Sequence, residues 1–172
     1  HQLVPKDTTF SLNRTDAFPY VYLSRKIIKV MDYEVRGFLV YRKTISRPSY
    51  DFLNPFAKYI DPFLYEVGNP NLKPETAKTN EIGLQWAQGD HRVRSTLFST
   101  QTRDLLLYDM STSQFSNVAS AKNEGLETSY SGRFGRTDVR GSLTLQNPVN
   151  EATGDRLVRR AQTLASTSVS HM

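Results

Sequence analysis

The chain has 172 residues, and 22 Lys and Arg against 17 Asp and Glu leave a formal net charge of +5. This length favours one domain or one segment of a larger one, because domains cluster near about 100–150 residues. Nine Tyr, nine Phe and one Trp argue against disorder, and the absence of Cys excludes disulfide frameworks and thiolate metal sites. No apolar run approaches the ~20 residues of a membrane-spanning helix, whereas a barrel strand needs only about 9–11 residues that are apolar at alternate positions.

The dominant pattern is alternation of apolar and polar side chains with a period of two, which is typical of β-strands. In chain order it covers residues 20–25, 33–42, 81–86, 93–97, 126–134, 139–145 and 163–169. No segment repeats apolar residues at helical spacing. The sequence therefore predicts an all-β fold, an antiparallel up-and-down meander of about 7–8 strands that is part of a transmembrane β-barrel or closes as a small one.

Turn-forming residues predict the connections between these strands. Gly89-Asp90 and Gly135-Arg136-Thr137-Asp138 predict short turns. The polar segments 109–123 and 146–159 predict long loops, and residues 46–74, with five of the eight prolines, predict a long loop with or without short strands. Short and long connections alternate, which suits a meander whose long loops lie at one end.

The alternation alone fits either a soluble β-sandwich or a membrane barrel, because only the direction of the apolar face differs. Two features favour the barrel. The polar faces mix Arg, Glu, Gln, Ser and Thr, as a hydrated lumen would. Aromatic residues lie near strand ends, where interfacial girdles are expected: Tyr20, Tyr22, Tyr41, Trp86, Phe98, Tyr108 and Phe134. In a barrel we expect one set of side chains to face lipid: Leu84, Trp86, Leu126, Tyr130 and Leu143.

One octet carries a family resemblance: Gly68, Asn69, Pro70, Asn71, Leu72, Lys73, Pro74 and Glu75. Together with Asn80-Glu81-Ile82-Gly83-Leu84 it resembles the "GNPxLKPE…E.G" signature of TonB-dependent outer-membrane receptors. Weaker similarities to the same family lie, in matching order, at residues 18–24, 46–56, 59–65, 123–127 and 157–161. The resemblance covers about residues 17–170.

The resemblance implies a location and a function. It places residues 1–172 in the bacterial outer membrane as one barrel segment, with a long extracellular loop at 46–75 and without the family's plug domain. It implies active uptake of a bulky nutrient, namely an iron-siderophore, cobalamin or an oligosaccharide. The implied partners are outer-membrane lipid, lipopolysaccharide and the TonB system, reached through a plug absent from this chain. The alternative is a non-transporting small barrel, or a structural or binding module built from receptor strands.

Aromatic residues of the long loop are the candidate ligand contacts, above all Tyr50, Tyr59 and Tyr65. Aromatic side chains stack on sugars, catecholates or corrin rings at low entropic cost. The alternative role of this aromatic cluster is packing of the loop onto the barrel rim. The family resemblance adds the octet residues Gly68, Asn69, Pro70, Leu72, Lys73, Pro74 and Glu75 as the motif of the same loop.

Other chemistry is not predicted. The histidines His1, His91 and His171 have no partner at metal-ligand spacing, and we expect neither a metal site nor a cofactor. No G-x-S-x-G motif or other catalytic constellation occurs, so an enzyme is not expected. The basic run 156–160 has no interleaved aromatics, which favours contact with anionic lipopolysaccharide or water over nucleic acid.

Overall fold

The computed structural model describes residues 15, 17–56, 58–61, 64–109, 112–157 and 160–172. These residues form nine strands and one short helix: β1 Tyr20–Val30, β2 Tyr33–Ser46, α1 Tyr50–Leu53, β3 Lys58–Asp61, β4 Leu64–Glu66, β5 Glu75–Gln88, β6 His91–Asp109, β7 Gln114–Phe134, β8 Thr137–Asn150 and β9 Thr163–His171. Among the described residues, no helix has the length and apolar character needed to cross a membrane.

Seven strands form one open sheet in the order β1-β2-β5-β6-β7-β8-β9, and β3 and β4 form a separate hairpin. Every neighbouring pair in the large sheet is antiparallel. Sequence neighbours are also spatial neighbours, except that the β3–β4 hairpin lies within the connection from β2 to β5. The predicted all-β meander is therefore confirmed.

Three hairpins of the large sheet turn at the same end, and each turn consists of two residues. The turns are Met31-Asp32, Gly89-Asp90 and Gly135-Arg136, of which the last two were predicted. The first residue of each turn has a positive φ, of 54°, 54° and 61° respectively, as in a type II′ hairpin turn. The sequence did not mark the first turn, because Met31 takes a conformation that usually calls for glycine.

The opposite end carries the longer connections, and two of the predicted boundaries are wrong. Most of residues 109–123 are strand and not loop, because β6 continues to Asp109 and β7 begins at Gln114. Residues 146–150 belong to β8. Backbone pairing with neighbouring strands holds both polar stretches in the sheet. The β6–β7 pairing extends to Asp109↔Gln114, and the β7–β8 pairing extends to Ala121↔Asn150. Polar composition misled the sequence prediction, because these residues join the sheet through backbone pairing and not through an alternating apolar face.

The two faces of the sheet differ sharply in polarity. Six apolar residues form one row in which each is the direct cross-strand partner of the next: Leu23, Leu39, Ile82, Leu97, Leu126 and Leu145. We call this row the leucine row and its side of the sheet the apolar face. Leu97 is 58% exposed and Ile82 is 56% exposed. Leu84, Trp86, Tyr130 and Leu143 lie on the same face by strand register, as predicted. A soluble monomer rarely exposes so continuous an apolar surface.

Aromatic side chains gather on the apolar face near the hairpin turns. The rings of Tyr33 and Trp86 meet edge to face with centroids 6.3 Å apart. The His91 and Phe134 rings lie 4.9 Å apart, and His91 Nδ1 is 2.9 Å from the Tyr130 hydroxyl. Aromatic rings with polar tips at one strand end are typical of an interfacial girdle.

The opposite side, the polar face, also holds aromatic residues, of which Phe38 is buried. Phe38 is only 3% exposed and stacks with Tyr22 at a centroid distance of 6.3 Å. Phe98 lies opposite Gly125 on the same side. Tyr20 lies on this side as well, so the expectation that Tyr20, Tyr22 and Phe98 join the girdle is wrong. Their positions in the alternation place them on the polar face, which proximity to a strand end does not reveal.

Candidate functional site

The octet Gly68–Glu75 lies at the end of the sheet opposite the hairpin turns and leads into β5. Asn69 organises it as a compact turn: its side-chain Oδ1 accepts from the Asn71 N–H at 3.0 Å, and its carbonyl accepts from the Leu72 N–H at 3.2 Å. Leu72 and Pro74 are buried. Because prolines at 70 and 74 lack an N–H, the octet offers few backbone donors to a sheet and is held by other contacts.

The first set of those contacts joins the octet to α1. The Gly68 N–H donates to the Asn54 carbonyl at 2.8 Å, and the Asn69 N–H donates to the Phe52 carbonyl at 2.6 Å. A Cβ on Gly68 would lie 2.5 Å from the Asn54 carbonyl oxygen and 2.7 Å from that of Phe52. The motif glycine is therefore required by the close approach of two backbone segments.

The second set joins the octet to the part of β6 and β7 that continues past β5. The β5 pairing ends at Thr76↔Arg103, so the described residues of 104–118 project beyond it, and we call them the hairpin extension. The Asn69 Nδ2 donates to the Phe115 carbonyl at 3.2 Å. The Leu106 N–H donates to Glu75 Oε2 at 3.3 Å. The motif loop thus rests on a neighbouring hairpin.

Asn117 makes the closest of these connections. Its Oδ1 accepts from the Lys73 N–H at 2.8 Å, and its Nδ2 donates to the Lys73 carbonyl at 3.0 Å. The same Nδ2 donates to the Asp104 carbonyl at 2.6 Å. The sequence did not indicate Asn117, since it lies in a stretch predicted as loop and belongs to no motif.

Aromatic stacking supports the same junction. The Phe52 and Phe115 rings stack with centroids 4.0 Å apart, and Tyr108 meets Phe115 edge to face at 5.3 Å. Leu105 is buried at 7% exposure. Phe52 is one of the aromatic residues of the long loop, and its ring packs on Phe115 at the rim.

The predicted ligand contacts are placed differently. Tyr50, at the start of α1, is 92% exposed, and Tyr59, in β3, is 79% exposed. Tyr65 is the cross-strand partner of Tyr59, although its side chain lies outside the described part of the structure. Lys58 Nζ is 3.8 Å from Asp51 Oδ2, which brings β3 close to α1. The structure thus brings Tyr59 and Tyr65 together by register and exposes most of the surface of Tyr50 and Tyr59.

The polar face near the hairpin turns is a second charged surface, with a cleft of about 650 Å³. Four arginines line the cleft: Arg36, Arg92, Arg94 and Arg140. The Glu34 carboxylate forms ion pairs with Arg36 at 3.0 Å and with Lys26 at 3.1 Å. The Arg94 guanidinium lies 4.0 Å from the Phe38 ring centroid, a cation–π contact. This side has the polarity of a hydrated lumen with a local surplus of positive charge.

Comparison with known proteins identifies the architecture. The sequence model of the outer membrane protein beta-barrel family matches residues 2–164. Among solved structures, the siderophore receptor PirA from Pseudomonas aeruginosa aligns over 76% of this chain at 22% identity and a TM-score of 0.61. The copper transporter OprC aligns over 91% at 17% identity and a TM-score of 0.63. The RagAB peptide importer aligns over 85% at 19% identity and a TM-score of 0.51.

The aligned region covers 25% of PirA, 24% of OprC and 20% of the RagAB chain, so this chain spans about a quarter of their length or less. The three matches share its fold, and they confirm the resemblance to receptor barrels that the octet and its neighbouring motifs indicated. The chain therefore belongs to the outer membrane protein β-barrel family, proteins of the bacterial outer membrane.

Proposed function

We propose that this chain is the barrel segment of a TonB-dependent outer-membrane receptor for active uptake of a bulky nutrient. One observation carries the proposal: the two ends of the sheet differ. The receptor-like octet lies at the long-loop end and packs against the hairpin extension, whereas each described hairpin at the other end has a two-residue turn. Short turns at one end and long loops at the other are the layout of such barrels. The structural matches include a siderophore receptor, a copper transporter and a peptide importer.

The two faces support this assignment. The leucine row and the girdle around Trp86 would face lipid, and the arginine- and serine-lined polar face would face the lumen. The edge strands β1 and β9 would pair with the remaining strands of the full receptor, since exposed sheet edges are unfavourable in lipid. The TonB system would act through a plug supplied by another part of that polypeptide.

Basic residues at the long-loop end suit contact with lipopolysaccharide. Arg156 and Arg160 lie in the connection from β8 to β9 and are exposed. Guanidinium groups bind phosphate through paired hydrogen bonds, so these two residues are the proposed contacts with lipopolysaccharide phosphates.

The proposed ligand contacts are Tyr50, Tyr59 and Tyr65. Tyr50 and Tyr59 expose most of their surface, and Tyr65 is paired with Tyr59 by strand register. The adjoining β4–β5 connection is stiffened by Pro70 and Pro74 and by its bonds to Asn54 and Phe52. A pre-organised aromatic loop loses little entropy when it binds a large ligand.

The test replaces the three tyrosines by alanine in the full-length receptor. Binding and uptake of a panel comprising a ferric siderophore, cobalamin and an oligosaccharide are measured with and without an intact TonB system. We expect TonB-dependent uptake of one class and at least tenfold weaker binding in the triple variant, given ~1–3 kcal/mol for such aromatic contacts. Uptake of none of the three by the parent receptor would favour a non-transporting barrel, and lost stability with unchanged affinity would assign the tyrosines to packing.

A further inference from the structure

We infer that Asn117 is a positioning residue that clasps the long loop to the hairpin extension, so that the two behave as one unit at the rim. The inference extends the proposed function, because the clasped loop carries the proposed ligand contacts. It concerns the mechanics of the rim, however, and is measured without any ligand.

The side chain of Asn117 makes three hydrogen bonds at this junction. A carboxamide has one acceptor oxygen and two N–H donors. The Asn117 oxygen accepts a hydrogen bond from the Lys73 N–H. Its amide nitrogen donates to the Lys73 carbonyl and also to the Asp104 carbonyl. The pair of bonds to Lys73 reproduces the exchange between two residues of an antiparallel ladder. The side chain thus supplies a strand contact where the backbone cannot continue one, since Pro74 follows and has no N–H.

The third bond holds an unusual backbone conformation. Asp104 has a φ of 55°, in the left-handed region that few non-glycine residues adopt. This residue lies at the start of the hairpin extension, directly after the last pairing of β6 with β5 at Arg103. Asn117 therefore connects the loop to the point where the hairpin extension leaves the sheet.

Two further contacts cross the same junction and point to a single unit. Asn69 binds the Phe115 carbonyl, and Phe52 stacks on the Phe115 ring. Phe52 belongs to α1, which Tyr50 begins. A displacement of Tyr50 by a bound ligand would thus be transmitted through Phe52 and Phe115 to the hairpin extension, provided that Asn117 keeps the octet in place.

The experiment uses the full-length receptor in lipid vesicles, with spin labels on cysteines introduced at Lys58 and Thr112, both exposed positions in this cysteine-free segment. The variants are Asn117→Ala and Asn117→Asp, of which the second keeps the shape but places a carboxylate against the Lys73 and Asp104 carbonyls. The matched control is Asn147→Ala, an exposed asparagine in β8. Tryptic cleavage after Lys58 is followed in parallel, in the same Asn117 and Asn147 variants without the introduced cysteines.

We expect a narrow interlabel distance distribution in the parent and the control, and a broad one in both Asn117 variants. Cleavage of the loop should accelerate roughly tenfold, as for the loss of two or three hydrogen bonds that are partly replaced by water. If an Asn117 variant fails to insert, Asn69→Ala tests the same junction through its bond to Phe115. Unchanged distances and cleavage in the Asn117 variants, or in Asn69→Ala in their place, would overturn the inference.

The outcome is separable from that of the tyrosine test. Release of the loop by Asn117→Asp, together with unaltered ligand binding by the tyrosine variant, would support the clasp and reject the ligand contacts. A tightly held loop in Asn117→Asp, with weakened binding in the tyrosine variant, would do the reverse.

Discussion

Phe38 and Gly83 are directly opposed across β2 and β5, and the Phe38 ring fills the space that a side chain on Gly83 would need. A Cβ there would lie 2.7 Å from the Phe38 Cε1 and 2.5 Å from the Ser95 carbonyl oxygen. Phe98 and Gly125 repeat the arrangement one pair of strands away, with the Phe98 Cζ at 2.8 Å from a Cβ on the glycine. Aromatic rings that cover strand glycines pin the register of designed and natural sheets.

Gly83→Ala should therefore destabilise the receptor by about 1–3 kcal/mol, the usual range for overpacking a filled site. The measurement is urea-induced unfolding in lipid vesicles. Gly141→Ala is the matched control, since its Cβ would meet nothing nearer than the Ser166 carbonyl oxygen at 3.7 Å. Equal free energies of unfolding for the two variants would contradict the role assigned to Phe38.

Leu143→Arg tests the direction of the apolar face. Leu143 lies beside the leucine row and is 42% exposed. An arginine near the middle of a bilayer costs about 2–4 kcal/mol in an outer-membrane barrel. We expect Leu143→Arg to lower the free energy of unfolding in vesicles by that amount. The control is Thr144→Arg, whose side chain lies on the polar face opposite Glu127, and it should change the free energy of unfolding by less than about 1 kcal/mol. A larger penalty at position 144 would reverse the assignment of the faces.

The hairpin turns offer a prediction on backbone strain. Met31, Gly89 and Gly135 each begin a turn with a positive φ, but only Met31 carries a side chain, and it is 93% exposed. Met31→Gly should stabilise the β1–β2 hairpin by up to about 1 kcal/mol, because a left-handed conformation costs a non-glycine residue roughly 1–2 kcal/mol. Gly135→Met should lower stability by a similar amount, although no atom lies within 4 Å of its Cβ position. Chemical unfolding of both variants in vesicles measures these changes, and a stabilising Gly135→Met would be incompatible with the turn geometry.

Local alternation determined most of the fold. Because side chains on a strand alternate between its faces, the period of two in segments such as 33–42 and 126–134 was enough to predict the strands and the residues that share the apolar face. Gly89 and Gly135 marked two turns, because glycine readily takes the positive φ of a tight hairpin. The octet, read as a family motif, indicated an outer-membrane barrel, and the family comparison confirmed that coarser assignment.

Tertiary structure alone decided the extent of β6 and β7 and the organisation of the rim. Polar residues 114–123 form a strand because pairing with β6 supplies their backbone hydrogen bonds, and no local pattern records that partner. Likewise, Asn117 meets Lys73 across 44 positions of sequence, and Phe52 meets Phe115 only after the long loop folds back. Alternation is a property of neighbouring residues and is written in the sequence, whereas these contacts depend on how distant segments are brought together in space.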